Sequence, residues 1–168
     1  RMHWADISRE YLLNDAEINF LGDLEFADGS PLYNERELKH MLDVKIVVGY
    51  TMIVFYLGLA IILGVGYWWI RTNRADQYLS ALSKGGWFTV GLIVFVITMI
   101  IINFNVFFVA FHRVFFEGDT WLFNYSDTLI RLFPEVFWRD AFLMIGGLGL
   151  IIGAVVGWGA PKLHRRFG

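Results

Sequence analysis

The chain has 168 residues, of which 57% are hydrophobic, 18% aromatic and 18% charged, and its mean hydropathy is +0.51. A soluble domain carries roughly 25% charged residues, so this composition argues against a soluble globule and against a disordered chain. The net charge of −2 excludes a generic nucleic-acid binder, and the absence of cysteine excludes a disulfide scaffold, a thiolate metal site and a cysteine nucleophile. A membrane protein remains.

Three charge-free stretches divide the chain. They cover 46–70, 86–111 and 141–160, and each is long enough to cross a bilayer, which takes about 20 apolar residues. None of them shows the polar face of a helix at the surface of a soluble protein. We therefore predict an all-α polytopic membrane protein with three transmembrane helices and a small extracytoplasmic cap. The connecting segments are 1–45, 71–85, 112–140 and 161–168.

Charge differs sharply between these connecting segments. The 71–85 linker and the 161–168 tail together hold six bases and one acid, a net charge of +5. Segments 1–45 and 112–140 hold 15 acids and eight bases, a net charge of −7. Because cytoplasmic loops are enriched in Lys and Arg, the pattern predicts a cytoplasmic linker and tail, with the two acidic segments on the outer side.

The first acidic segment must then be translocated across the membrane. The chain begins at Arg1, and its first residues do not have the composition of a signal peptide. We expect a further transmembrane helix upstream of Arg1, which would give the full protein four spans. A cleaved signal peptide is the alternative.

The approach to the first span carries ionisable residues at helical spacing. Glu37, His40 and Asp43 recur at intervals of three, which places them near one another on a helix. A histidine has a pKa near working pH, and a neighbouring carboxylate fixes its tautomer, so this pattern suits general acid–base chemistry. The alternative is that the histidines at the membrane interface make hydrogen bonds that stabilise the fold and have no catalytic role.

A second histidine follows the second span. The predicted topology brings His112 to the same membrane boundary as His40, and Asn105 shares a helix face with His112 because it lies seven residues earlier. Asn105 would either line a pocket open to the outer leaflet or hydrogen-bond a neighbouring helix. The sequence contains no HExxH site, nucleophile elbow or phosphate loop. No zinc-ligand spacing is present and nothing in the spacing requires a pigment, so we expect no metal and no cofactor.

The third span carries glycines at intervals of four residues. Gly149, Gly153 and Gly157 form a stripe of small residues that lets another helix approach closely. We expect its partner to be a helix of this chain, and another membrane subunit is the alternative. The chain also has 16 Phe and seven Trp, which could contact other subunits or a pigment. A hypothesis that competes with an enzymatic role is therefore a non-catalytic accessory subunit of a respiratory or photosynthetic complex.

Three longer motifs resemble a known family. They are Tyr33-Asn-Glu-Arg-Glu-Leu-Lys-His-Met-Leu-Asp43, the run Phe111-His-x-x-Phe-Phe that leads to Trp121, and Asp127-x-Leu-Ile-x-Leu-Phe-Pro leading to Asp140. Together they resemble the bacterial lipoprotein intramolecular transacylase family over about residues 30–160. The resemblance implies a four-span protein of the bacterial cytoplasmic membrane. It also implies an enzyme that moves an acyl chain from the diacylglyceryl group of a lipoprotein to the α-amine of its N-terminal cysteine.

The resemblance also implies roles for individual residues and partners. His40 would be the general base and His112 its partner, or the two roles would be exchanged. Membrane lipids and a diacylglyceryl lipoprotein would be the partners, and nucleic acid would not. Independently of the resemblance, we expect Glu37 and Asp43 to orient His40, and Trp121, Phe115 and Phe116 to shape the lipid entrance. The other supporting candidates are Asn105, Asp127 and three possible oxyanion donors, Arg113, Tyr33 and Tyr125.

Overall fold

A computed structural model describes residues 2–167, and its regular elements are helices. The described part of the chain contains no β-strand, only an isolated bridge between Glu25 and Pro31. This confirms the predicted all-α class. In chain order the helices are α1 (Met2–Leu13), α2 (Asn19–Gly22), α3 (Glu35–Arg71), α4 (Ala75–Ile102), α5 (Phe104–Phe115), α6 (Thr128–Leu132) and α7 (Glu135–Phe167).

Three of these helices, α3, α4 and α7, are long and apolar enough to cross a membrane. All three extend beyond the charge-free stretches from which they were predicted. With 37 residues, α3 is about 55 Å long, whereas a hydrocarbon core is about 30 Å thick. The extra length lies mainly before the predicted span, because α3 begins at Glu35 rather than at Ile46. Its first turns carry the ionisable side chains. Similarly, α4 begins inside the 71–85 linker and α7 continues into the 161–168 tail.

The predicted helix over 86–111 is divided in the structure at Asn103. This residue has an extended backbone, with φ of −158° and ψ of 95°. Its N–H donates to the Met99 carbonyl, and its Oδ1 accepts from the Val106 N–H at 3.1 Å. Asn103 therefore ends α4 and caps the start of α5, as an asparagine side chain that competes for backbone hydrogen bonds can do.

The chain forms two compact units. Unit 1 contains Arg1–Val54 and Phe108–Trp138, and unit 2 contains Phe55–Phe107 and Arg139–Gly168. In unit 1, Lys45 Nζ donates to the Ala16 carbonyl at 2.6 Å and lies 4.0 Å from the centroid of the Tyr11 ring. These contacts fasten the N-terminal segment to α3. The buried apolar core of unit 1 consists of Tyr11, Leu21, Leu32, Tyr33, Met41 and Leu129.

In unit 2, α4 and α7 approach closely at glycines. A Cβ added to Gly86 would lie 2.6 Å from the Gly157 nitrogen and 2.7 Å from the Gly153 oxygen. A Cβ on Gly149 would meet the Ile93 side chain of α4 at 2.6 Å. The predicted glycine stripe thus packs against a helix of this chain, which was the expected partner.

A proline in α7 explains a hydrogen bond between the same two helices. Pro161 lies inside the helix and has no N–H, so the carbonyl of Gly157 lacks its usual donor four residues later. Ser83 of α4 donates its hydroxyl to that carbonyl at 2.6 Å. The serine therefore satisfies a backbone group that the sequence of α7 leaves without a donor.

Candidate active site

Two histidines from distant parts of the sequence lie side by side in unit 1. The ring centroids of His40 on α3 and His112 on α5 are 5.9 Å apart, and their planes are inclined by 23°. The two residues are only 7% and 8% exposed. The structure therefore brings together the two residues that the sequence singles out as catalytic candidates.

Five described aromatic rings contact this pair, including Phe111 at 5.7 Å from His112. We call the four nearest rings the aromatic box: Phe108, Phe116, Trp121 and Phe123. Phe116 contacts both histidines, with centroid distances of 4.9 Å to His40 and 5.4 Å to His112. Phe123 lies 5.3 Å from His40, while Trp121 and Phe108 lie 5.0 Å and 4.0 Å from His112. The box places both imidazoles in an apolar setting, which disfavours their charged forms.

The hydrogen bond of His112 defines which of its nitrogens can act as a base. His112 Nδ1 lies 2.8 Å from the Phe108 carbonyl oxygen. A carbonyl only accepts, so Nδ1 must carry the proton, and in the neutral ring Nε2 holds the free lone pair. Burial lowers the pKa of His112, and the hydrogen bond to Phe108 offsets part of that effect. His112 is therefore prepared as a neutral base that acts through Nε2.

His40 has a nitrogen with no partner. Its Nδ1 is buried and makes no hydrogen bond to the described residues. Leaving a buried polar group unpaired costs about 1–3 kcal/mol, so a bound molecule that hydrogen-bonds this nitrogen would recover that energy. The ring that carries this atom has its centroid 5.9 Å from that of His112.

The two carboxylates predicted to orient His40 make their hydrogen bonds elsewhere. Glu37 is 1% exposed and accepts from the backbone N–H groups of Asn34 at 2.8 Å and Leu129 at 2.6 Å. Asp43 accepts from the Thr120 hydroxyl at 3.4 Å. Both carboxylates thus bind the segment that follows α5, and no described hydrogen bond joins either of them to His40.

The remaining candidates from the sequence are spread over the chain. Asp127 precedes α6 and accepts from the Asn124 N–H at 2.7 Å. Tyr33 is buried with its hydroxyl 2.6 Å from that of Ser8, and burial raises the pKa of Tyr33. The other three candidates are exposed, with Arg113 and Tyr125 in unit 1 and Asn105 in unit 2.

The sequence indicated part of the box but not all of it. Phe116 and Trp121 contact the histidines, whereas Phe115 is 48% exposed. Phe108 and Phe123 were missed, because nothing separates them from the other phenylalanines in a chain that contains 16. Among the described residues, no group of three or more His, Cys, Asp or Glu side chains is arranged to hold a metal ion.

Comparisons with known proteins cover most of the chain. A family model described as lipoprotein intramolecular transacylase Lit matches residues 6–138, a range that includes both histidines and the whole aromatic box. An uncharacterized protein of Aquifex aeolicus (strain VF5) is 30% identical over 156 residues, which cover 93% of this chain and 69% of that protein. No solved structure matches the chain.

Proposed function

Because the chain belongs to the lipoprotein intramolecular transacylase family, we propose that it moves an acyl chain within a membrane lipoprotein. The acyl group passes from the diacylglyceryl moiety to the α-amine of the N-terminal cysteine of the same molecule. The observation that carries this proposal is the pair of buried imidazoles, His40 and His112, with ring centroids 5.9 Å apart. Membrane lipid and a lipoprotein are the partners that the family implies.

The reaction is an aminolysis, and it needs two proton transfers. The amine nitrogen forms a bond to the ester carbonyl carbon, the bond from that carbon to the glycerol oxygen breaks, and one proton moves from nitrogen to that oxygen. Nε2 of His112 has the lone pair to take the amine proton. His40, whose ring is the neighbour of His112 and whose Nδ1 is unpaired among the described residues, hydrogen-bonds the reacting groups and assists delivery of the proton. These assignments exchange the roles expected first from the sequence.

The surroundings of the histidines favour this chemistry in two ways. The aromatic box excludes water, which keeps the imidazoles neutral and strengthens the hydrogen bonds that develop in the transition state. The amine and the ester belong to one molecule, so positioning them removes much of the entropic barrier. Arg113, adjacent to His112 in sequence and exposed, is the proposed donor to the oxyanion.

The charge asymmetry supports an orientation for the proposed enzyme. We place the acidic segments 1–45 and 112–140, which carry both histidines, on the outer side of a bacterial cytoplasmic membrane. There His112 would directly follow the apolar stretch 86–111 and His40 would precede the stretch 46–70 by six residues, which places both near the depth where acyl esters meet water. A lipoprotein anchored in that leaflet would present its N-terminal amine at the same depth.

The test must locate the acyl chain, because a transfer within one molecule leaves the mass unchanged. Lipoproteins from cells that express the protein are digested, and the N-terminal lipopeptide is fragmented in a mass spectrometer. We expect an N-acyl fragment with the wild type and with His3→Ala, a control at an exposed histidine of α1. His40→Ala should leave the amine free and both chains on the glyceryl group. Equal N-acylation by His40→Ala and the wild type would refute the proposal.

A further inference from the structure

Glu37 accepts hydrogen bonds from backbone N–H groups, and no described hydrogen bond joins it to a histidine. We propose that it is a positioning residue, whose buried carboxylate fastens the outer loop, defined as residues 116–134, to the start of α3. The outer loop carries Phe116, Trp121 and Phe123, three of the four rings of the aromatic box. The positioning role rests on the proposed function, whereas the fastening itself can be measured without any activity.

The carboxylate of Glu37 hydrogen-bonds backbone N–H groups at the N-termini of two helices, α3 and α6. Its Oε2 accepts from the Asn34 N–H while its own N–H donates to Asn34 Oδ1 at 3.0 Å, which forms a capping box at the start of α3. Its Oε1 accepts from the N–H of Leu129, in the first turn of α6, across 92 positions in sequence. One carboxylate therefore satisfies backbone donors of both helices, and hydrogen bonds to a charged acceptor are the stronger kind.

Among the described residues, three further hydrogen bonds join the same region of the chain to the outer loop, but all are less buried than the bond from Leu129 to Glu37. They are Asn34 Nδ2 to Asp127 Oδ1 at 3.3 Å, Arg36 Nη1 to the Leu122 carbonyl at 3.0 Å, and the Thr120 hydroxyl to Asp43 at 3.4 Å. Exposed polar contacts contribute little because water competes for them. Among these polar attachments, Glu37, at 1% exposure, is the one for which water does not compete, and it adds to the apolar packing of Met41 and Leu129 in the core of unit 1.

The position of the loop determines the surroundings of the histidines. Trp121 and Phe123 lie between the attachment points at Thr120 and Leu129, and their rings contact His112 and His40. A loop released from Glu37 would move these rings away and admit water to the imidazoles. Both the geometry of proton transfer and the preference for neutral histidine would then weaken.

The substitution Glu37→Gln isolates this role because it keeps the size of the side chain. A glutamine has one acceptor oxygen and one donor NH2 group, so it can satisfy either the Asn34 or the Leu129 amide but not both. Glu35→Gln is the matched control, since Glu35 lies in the same first turn of α3 and is exposed. Glu37→Asp, which keeps the charge but shortens the reach, is the second variant if Glu37→Gln does not fold.

The experiment uses the absence of cysteine from the sequence. Spin labels are attached to cysteines introduced at Lys39 on α3 and Ser126 in the outer loop, both exposed, and the distance between them is measured by pulsed electron resonance. We expect a narrow distribution in the otherwise wild-type protein and with Glu35→Gln, and a broad one with Glu37→Gln or Glu37→Asp. In the unlabelled variants we expect kcat to fall roughly 10- to 100-fold, and the acid limb of the pH–rate profile to move toward higher pH.

The outcomes separate this inference from the proposed function. An unchanged distance distribution in folded Glu37→Gln would overturn the inference, whatever its activity. A broadened distribution with an unchanged kcat and pH profile would overturn the positioning role. If the wild-type protein itself transfers no acyl chain while Glu37→Gln still broadens the distribution, the proposed function would be refuted and the attachment of the loop by Glu37 would still be supported.

Discussion

The two units of this chain bury different kinds of group. The buried polar side chains among the described residues are Ser8, Glu37, His40 and His112, and all of them belong to unit 1. In unit 2, helices α4 and α7 instead meet through glycine backbones. Burying polar groups is costly unless they are paired or used, whereas helices in lipid associate by close packing. Substitutions in unit 1 should therefore change activity, and those in unit 2 should change stability.

The largest expected effect is the loss of activity when either histidine is removed. We expect His40→Ala and His112→Ala each to lower kcat by about 10²–10⁴, the usual contribution of general acid–base catalysis. The double variant should be no slower than the worse single variant, because the two groups act as one unit. Steady-state rates with purified variants test this. Independent, multiplicative losses would indicate that the rings do not act together.

A matched pair of glycine substitutions tests the stability of unit 2. Gly86→Ala places a Cβ 2.6 Å from the Gly157 nitrogen, and we expect it to destabilise the protein by about 1–3 kcal/mol through overpacking. Gly91→Ala lies on the same helix with nothing within 4 Å of the added Cβ, so it should be neutral or stabilise by up to about 1 kcal/mol. Thermal unfolding in detergent measures both. Similar melting temperatures for the two variants would contradict the close approach of α4 and α7.

A smaller effect is expected at Ser83. Ser83→Ala removes the donor to the Gly157 carbonyl and should cost about 1 kcal/mol, typical of a hydrogen bond between membrane helices. In a Pro161→Ala background the cost should shrink, because the alanine N–H can supply the missing bond to that carbonyl. A double-mutant cycle on the unfolding free energy measures the coupling. A coupling of zero would show that the serine does not compensate for the proline.

The smallest expected effect is a shift in pH dependence. Because burial lowers the pKa of His112 below the ordinary value of 6.5, its neutral form persists to lower pH than that of an exposed histidine. The acid limb of the transfer rate should therefore be centred at a lower pH than that of a histidine of ordinary pKa. A pH–rate profile with an acid limb centred at or above 6.5 would contradict this.

The same pKa shift has a consequence for stability, with a definite sign. The unfolded chain takes up a proton on His112 at higher pH than the folded chain does, so folding is favoured more strongly as the pH rises. The contribution of His112 is complete above about 6.5 and is lost as the pH falls toward its folded pKa. Melting temperatures of the wild type should therefore fall more between pH 7 and 5.5 than those of His112→Ala.

The sequence predicted the three long helices because hydrocarbon permits few polar groups over a span. It did not predict the break at Asn103, since an asparagine in an apolar run is equally compatible with a helix that pairs its amide with a neighbour. It also placed His40 and His112 at one boundary. The contact of Glu37 with Leu129 could not be inferred, because it joins residues 92 positions apart. From helical spacing, the sequence instead predicted that Glu37 would orient His40.

We propose that this protein itself moves the acyl chain with its two buried histidines. The most direct test incorporates the purified protein into vesicles that contain a synthetic diacylglyceryl lipopeptide and no other protein, and follows the acyl position by fragmentation over time. We predict that N-acyl lipopeptide accumulates with the wild type and stays at the uncatalysed level with folded His112→Ala. A folded wild-type protein that leaves the amine free, or a His112→Ala variant that acylates it at the same rate, would contradict the account.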